Sequence, residues 1–148
     1  EGKIGIIIMS MSPEDVDRVM QLPYEALISD SLYGGGDNPH PRLYGSFPRF
    51  LREYVRERKV LTLEEGIRKM TGAPAERAGF TDRGLIKEGL AADLNVFDFE
   101  KITDKATFTF SRQLSEGIAY TLIEGEVVAK DSIRTGVNKG KLLRKKAE

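Results

Sequence analysis

Three side chains able to do chemistry fall within thirteen positions of each other: Asp30, His40 and Arg42, with a glycine run, Gly34-Gly35-Gly36, between the first and second. Asp30 closes an apolar stretch, Ala26-Leu27-Ile28, that reads as a β-strand. A carboxylate at a strand end, followed by a long loop, is a common way for α/β enzymes to present catalytic groups. Asp30 then has three readings: a general base, a metal ligand, or a carboxylate that only caps or pairs locally. Taken singly, the local reading is the commonest. Arg42 carries the planar fork that grips a carboxylate at two points, or it is a surface ion pair. His40, between Asn38-Pro39 and Pro41, reads as a rim or supporting group or as an ordinary exposed side chain. The glycines match neither G-x-G-x-x-G nor the Walker pattern, so they are a weak signal for phosphate. Tyr33 and Tyr44 either line a pocket or pack with their hydroxyls at the surface.

Composition narrows the classes. The chain has 148 residues, 40% hydrophobic and 31% charged, with a formal net charge of zero. It is long enough for a real core and too apolar for disorder. Zero net charge gives no pull toward nucleic acid or a membrane surface. There is no cysteine and one histidine, which excludes a disulfide scaffold and any zinc site of several imidazoles or thiolates built from this chain alone. No apolar run approaches the roughly 18 residues of a membrane helix. Ile4 to Met9 lacks the basic leader and cleavage site of a signal peptide. A cytoplasmic location is the expectation. The chain lacks an initiator Met and enters a strand at once, which points to a piece of something longer.

The elements that position the cluster follow from periodicity. Ile4 to Met9 is a β-branched run that fits a buried parallel strand. Ser12-Pro13-Glu14-Asp15 opens a helix with a capping side chain, a proline at the first helical position and acids near the positive dipole end. Val16, Val19 and Met20 share its apolar face, and Leu22-Pro23 ends it. Ala26-Leu27-Ile28 is the next strand, giving a strand–helix–strand unit with a right-handed crossover. Pro48 to Lys59 predicts a helix with Phe50, Leu51, Tyr54 and Val55 inward. Thr62 to Glu65 is a capping box, Gly72 the expected stop, and Pro74 to Gly79 a short helix. After Gly84 the pattern turns to short strands: Leu94 to Phe99, Thr107 to Phe110, and a hairpin of Tyr120 to Ile123 with Glu126 to Ala129 about Glu124-Gly125. The basic tail, Lys139 to Lys146, has no interleaved aromatics and reads as a solvated terminus rather than a nucleic-acid arm.

Taken together, Ser29-Asp30 and then His40-Pro41-Arg42-Leu43-Tyr44-Gly45-Ser46-Phe47-Pro48-Arg49 resemble the C-terminal part of the D-aminoacylases, the N-acyl-D-amino-acid deacylases of the amidohydrolase superfamily. Leu63 to Thr71 with Pro74 to Arg77 resembles that superfamily's helix after the barrel, and Gly84 to Asp98 its return into a small β-sandwich. The last two stretches are shared by many amidohydrolases; the run from His40 to Arg49 is particular to the deacylases. The resemblance spans about Ile4 to Arg144.

It implies an α/β fold: the last two strand–helix units of a (β/α)8 barrel plus part of a small β-sandwich. The implied division is 1–79 for the barrel end and its helices, 80–135 for the sandwich part and 136–148 for the basic tail. By resemblance Asp30 is the catalytic acid/base, taking a proton from water and passing it to the leaving amine. Arg42 binds the carboxylate of a small-molecule N-acyl-D-amino acid, and Ser29, Ser31, His40 and Tyr44 are pocket or supporting residues. Ser31 stands where many relatives of this kind have glycine. Zinc is implied for the full-length enzyme. None is expected here, because the family's cysteine and histidine ligands lie upstream and Asp30 is the one candidate ligand. A barrel takes about 250 residues and eight strands, so the chain alone is expected to be inactive. Its unpaired strands are expected to pair between copies as a homodimer. Two alternatives stay open: an amidohydrolase acting on cyclic amides, of the dihydropyrimidinase or dihydroorotase kind, and a non-catalytic assembly module.

Overall fold

The computed structural model describes residues 7–8, 10–32 and 38–144. Most of the first expected strand, and Tyr33 with Gly34 to Gly36, lie outside the described residues, as do Lys145 and Lys146 of the tail.

Four helices lead. Helix α1 is Pro13–Met20, with the Ser12 hydroxyl accepting from the Asp15 amide at 3.1 Å as its sequence requires. Helix α2 is Arg42–Arg49 and continues without a break into a π-helical segment, Phe50–Glu57. Helix α3 is Leu63–Met70, capped by Thr62, and α4 is Gly72–Arg77. An antiparallel sheet follows, β1 Leu94–Phe97, β2 Ile118–Ile123, β3 Glu126–Lys130 and β4 Ile133–Arg134, in the order β1-β2-β3-β4. Register is fixed locally. Glu124 (φ 52°) and Gly125 (φ 81°) form a two-residue left-handed turn, which sets Ile123 opposite Glu126. A second such turn, Asp131-Ser132, makes β4.

The helical layer and the sheet share one core. Phe50, Leu51 and Val55 of the π segment are buried with Ile102, and Met20, Leu27, Tyr54, Ile67, Phe97 and Ile118 pack around them. Two glycines are demanded by close approach. A Cβ on Gly66 of α3 would lie 2.8 Å from Val55, and one on Gly117 (φ 87°) would lie 2.5 Å from the Ile102 backbone.

Several expectations need correction. The helix expected from Pro48 starts six residues earlier, at Arg42, so Pro48 sits inside it. Pro48 has no N–H, which leaves the carbonyl of Tyr44, four residues back, without a helical donor. The Ser115 hydroxyl supplies one at 3.0 Å. Past the proline the ladder loosens, and the Arg58 amide bonds back five residues to Glu53 at 2.9 Å. Helix α3 ends at Met70 with Thr71 as its C-cap, just before the expected stop at Gly72, and the short helix expected from Pro74 opens two residues earlier, at Gly72.

Thr107 to Phe110 is a bend, not a strand. The Thr107 amide and hydroxyl bond to Phe110 within the loop, and both Phe108 and Phe110 are exposed.

Ala26-Leu27-Ile28 lies in no helix or strand and has no strand partner among the described residues. A parallel strand cannot supply its own neighbour. Here the helices hold the segment instead. Arg68 donates to the Pro23 carbonyl at 2.8 Å, Arg77 to Tyr24 at 2.9 Å, and the Leu27 amide donates to the carbonyl of Lys69 at 3.0 Å. Lys69 itself is fully buried, its Nζ 2.5 Å from the Leu22 carbonyl and 3.3 Å from the Glu25 carboxylate.

Candidate functional site

The fold brings Asp30 and Arg42 together. Asp30 follows the segment that Lys69 anchors, and its backbone turns into the left-handed region, φ 47°, a conformation aspartate tolerates better than most residues. Arg42 is the first residue of α2. One terminal nitrogen, Nη1, reaches Asp30 Oδ2 at 2.9 Å. The carboxylate side chain is 69% exposed and the guanidinium 37%. The contact is therefore a single-point pair standing largely in solvent, and pairs of that kind are weak. Arg42 Nε is different: it is buried and has no hydrogen-bond partner. A buried donor without an acceptor is costly.

His40 positions Arg42 rather than reaching Asp30. Pro41 occupies the N-cap of α2 and offers no side-chain cap. The His40 imidazole replaces it, with Nδ1 accepting from the Arg42 amide at 3.0 Å. An accepting Nδ1 requires the neutral ring with its proton on Nε2. Burial, and then the neighbouring Arg42 guanidinium, hold the His40 pKa below its usual 6.5, against the opposing pull of Asp30. The ring meets Phe108 edge-on, centroids 5.4 Å apart. That contact is fixed from behind by Asn38. Its amide donates to the Phe108 carbonyl at 2.6 Å, and its Oδ1 accepts from the Ser111 amide at 3.1 Å and hydroxyl at 2.7 Å. Ser111 is buried.

The remaining candidates are more peripheral. The Ser31 hydroxyl turns back toward the Ser29 carbonyl at 3.4 Å. Tyr44, in α2, is half-buried, and its backbone carbonyl rather than its ring makes the contact to Ser115. Asn38, Phe108 and Ser111 went unnoticed in the sequence. Asn38 and Ser111 are 73 positions apart, and no local pattern joins them; the Asn-Pro dipeptide signalled only a turn.

Among the described residues, no group of three or more His, Cys, Asp or Glu side chains is placed to hold a metal ion. Asp30 is the one ligand-type carboxylate at the pair, and these residues do not make a zinc site by themselves. No helix among the described residues is long and apolar enough to cross a membrane.

The Amidohydrolase family model matches residues 16–129. An N-acyl-D-aspartate deacylase from Alcaligenes xylosoxydans xylosoxydans is 42% identical over 135 residues, which is 91% of this chain and 27% of that protein. A D-aminoacylase crystal structure superposes with a TM-score of 0.82 at 37% identity, over 86% of this chain and 27% of the other. An N-acyl-D-glutamate deacylase from Bordetella bronchiseptica, solved with zinc and a phosphonate mimic of the tetrahedral intermediate, superposes at 0.76 with 39% identity, over 84% and 27%. The chain thus spans about a quarter of the length of the relatives it matches.

Proposed function

Because the chain belongs to the amidohydrolase family, we propose that it forms the C-terminal part of a hydrolase that cleaves the amide bond of N-acyl-D-amino acids to a carboxylate and a free D-amino acid. The observation that carries this reading is the meeting of Asp30 and Arg42 at 2.9 Å, one just past the Ala26-Leu27-Ile28 segment and the other at a helix start. Amide hydrolysis forms a C–O bond from water and breaks the C–N bond. The proton leaving water must reach the departing nitrogen, and an exposed carboxylate such as Asp30 can carry it. A substrate with a free carboxylate calls for a guanidinium beside that base, and the part-exposed Arg42 fork supplies one. His40 keeps Arg42 in place through the amide of the same residue, with the Asn38–Ser111 clamp behind it.

In this reading, residues 1–79 are the end of a (β/α)8 barrel with its helices, 80–135 contribute to a β-sandwich, and 136–148 form the basic tail. Zinc belongs to the whole enzyme, with Asp30 at most one ligand and the others on polypeptide outside this chain. The chain alone is inactive, because eight strands are needed to close a barrel.

The test is the longer polypeptide carrying this sequence, assayed by amine release from N-acetyl-D- and N-acetyl-L-amino acids. Release from the D series is expected, with Asp30→Asn lowering kcat by roughly 100-fold or more. If the unaltered polypeptide releases no amine from any N-acyl-D-amino acid, the reading falls.

A further inference from the structure

We propose that the buried lysine of α3, Lys69, is a positioning residue for the reaction: it fixes where the Asp30 carboxylate stands, and its loss lowers turnover while leaving substrate affinity in place. This rests on the function proposed above. Lys69 grips one segment with both its side chain and its backbone. Its Nζ lies 2.5 Å from the Leu22 carbonyl, 3.5 Å from that of Glu25 and 3.3 Å from Glu25 Oε2. Glu65 Oε1, one turn back on α3, stands 3.7 Å away. The Lys69 carbonyl accepts from the Leu27 amide at 3.0 Å. Among the described residues, that is the last backbone hydrogen bond before Asp30. A shift of residues 22–27 therefore carries Asp30 with it. An apolar side chain of the same size would fill the space, but a charged nitrogen adds direction, drawing two carbonyls and a carboxylate toward one atom.

Arg42 is held separately. Its amide rests on His40 Nδ1, and Asn38 is tied to Ser111. Neither contact involves α3 or residues 22–27. Loss of Lys69 thus moves the base and leaves the guanidinium where it is, which lowers kcat at near-constant KM. The oxygens around Nζ can also be refilled from outside. The Lys69 side chain is 0% exposed, but those of Glu25 and Glu65 are 18% and 33% exposed. Truncation to alanine leaves a cavity lined by those oxygens, and a free alkylammonium ion reaches it from the Glu65 side. The longer polypeptide carrying Lys69→Ala is assayed on N-acetyl-D-amino acids with and without n-propylammonium chloride. Acetate release is followed, because the added amine would mask the product amine. Zinc is held at one concentration, and the temperature stays below the unfolding transition read by circular dichroism.

The expected result is a kcat lowered about 10-fold or more, the scale of a small misplacement of a reacting group, with KM changed by less than about 2-fold. Propylammonium should raise that kcat at least about 3-fold and saturably, because it restores a positive charge among the same oxygens. Sodium chloride at equal concentration should not, and the unaltered enzyme should not respond. A smaller fall in kcat, a KM that rises in step with it, or a loss that propylammonium does not restore overturns the proposal. Should Lys69→Ala fail to fold even with the amine present, Lys69→Gln decides, since it keeps an N–H donor and drops the charge. Its kcat should fall at unchanged KM; a kcat equal to that of the unaltered enzyme overturns the proposal. Hydrolysis of N-acyl-D-amino acids that is indifferent to Lys69 removes this inference and leaves the proposed function standing; no hydrolysis by the unaltered polypeptide removes both.

Discussion

Two short apolar runs, Ala26-Leu27-Ile28 and Tyr120-Thr121-Leu122-Ile123, look alike as strings of residues and end differently in space. The second is the middle of a sheet, paired on one side with Leu94 to Phe97 and on the other with Glu126 to Lys130. The first lies in no ladder among the described residues, with Ile28 70% exposed. The difference is where the partner comes from. The hairpin carries its neighbour within ten residues, from Ile123 opposite Glu126 to Tyr120 opposite Lys130, joined by a turn whose left-handed residues are written into the chain. A parallel strand depends on segments far away, and without them its backbone bonds go to whatever donors lie near. Here Lys69, Arg68 and Arg77 donate to the carbonyls of residues 22–24 just before the run, and the Leu27 amide donates to the Lys69 carbonyl, so α3 and α4 set where Asp30 emerges.

The sharpest way to break the comparison is to remove the anchor. Lys69→Met strands the half-buried Glu25 carboxylate and the Leu22 carbonyl. It should destabilise the chain by about 3–5 kcal/mol, read from urea unfolding. A loss under about 1 kcal/mol would mean the first segment has other support.

The hairpin should respond to its turn. Gly125→Val meets open space, the nearest neighbour being Ala92 Cβ at 3.9 Å, so its cost is backbone strain at φ 81°. That strain is about 1–2 kcal/mol, and a cycle with the same change at exposed Gly140, expected to be near neutral, isolates it.

Ile28→Asn should change the stability of this chain by no more than about 0.5 kcal/mol, because the side chain is already in solvent. A larger loss, or a change in molecular mass by light scattering, would mean that Ile28 is packed in solution, as strand pairing between copies would require.

The smallest effect concerns the cap on α2. His40 is the chain's one histidine, so its imidazole proton resonances are unambiguous. Its midpoint should fall below 6.5, because burial and Arg42 disfavour the charged ring. The unfolded chain then takes up the proton first. The stability that comes from the neutral ring is complete above 6.5 and is lost as pH falls through the window beneath it. The Arg42 amide resonance should shift with the same midpoint. A His40 midpoint at or above 6.5 would remove the imidazole cap.

Much of the local structure was legible beforehand, and for local reasons. Ser12 and Thr62 announced two helix starts, Glu124-Gly125 announced the hairpin, and Phe50, Leu51 and Val55 declared their inward face by spacing. The errors share a cause. Proline usually opens or breaks a helix, which points to a start at Pro48, whereas a hydroxyl from Ser115 lets it sit inside. Thr107 to Phe110 alternated like a strand but closes on itself and on Asn38.

The residue types at the site, a carboxylate and a guanidinium twelve positions apart, were determined by sequence alone, because chemistry belongs to side chains. So was the family resemblance, since it rests on the order of those side chains. What tertiary structure decided was contact: that Arg42 opens a helix, that His40 caps it, that Asn38 reaches Ser111, and that a buried lysine holds the approach to Asp30. Such contacts join residues with no periodic or short-range relation, and only the folded chain brings their donors and acceptors within hydrogen-bonding distance.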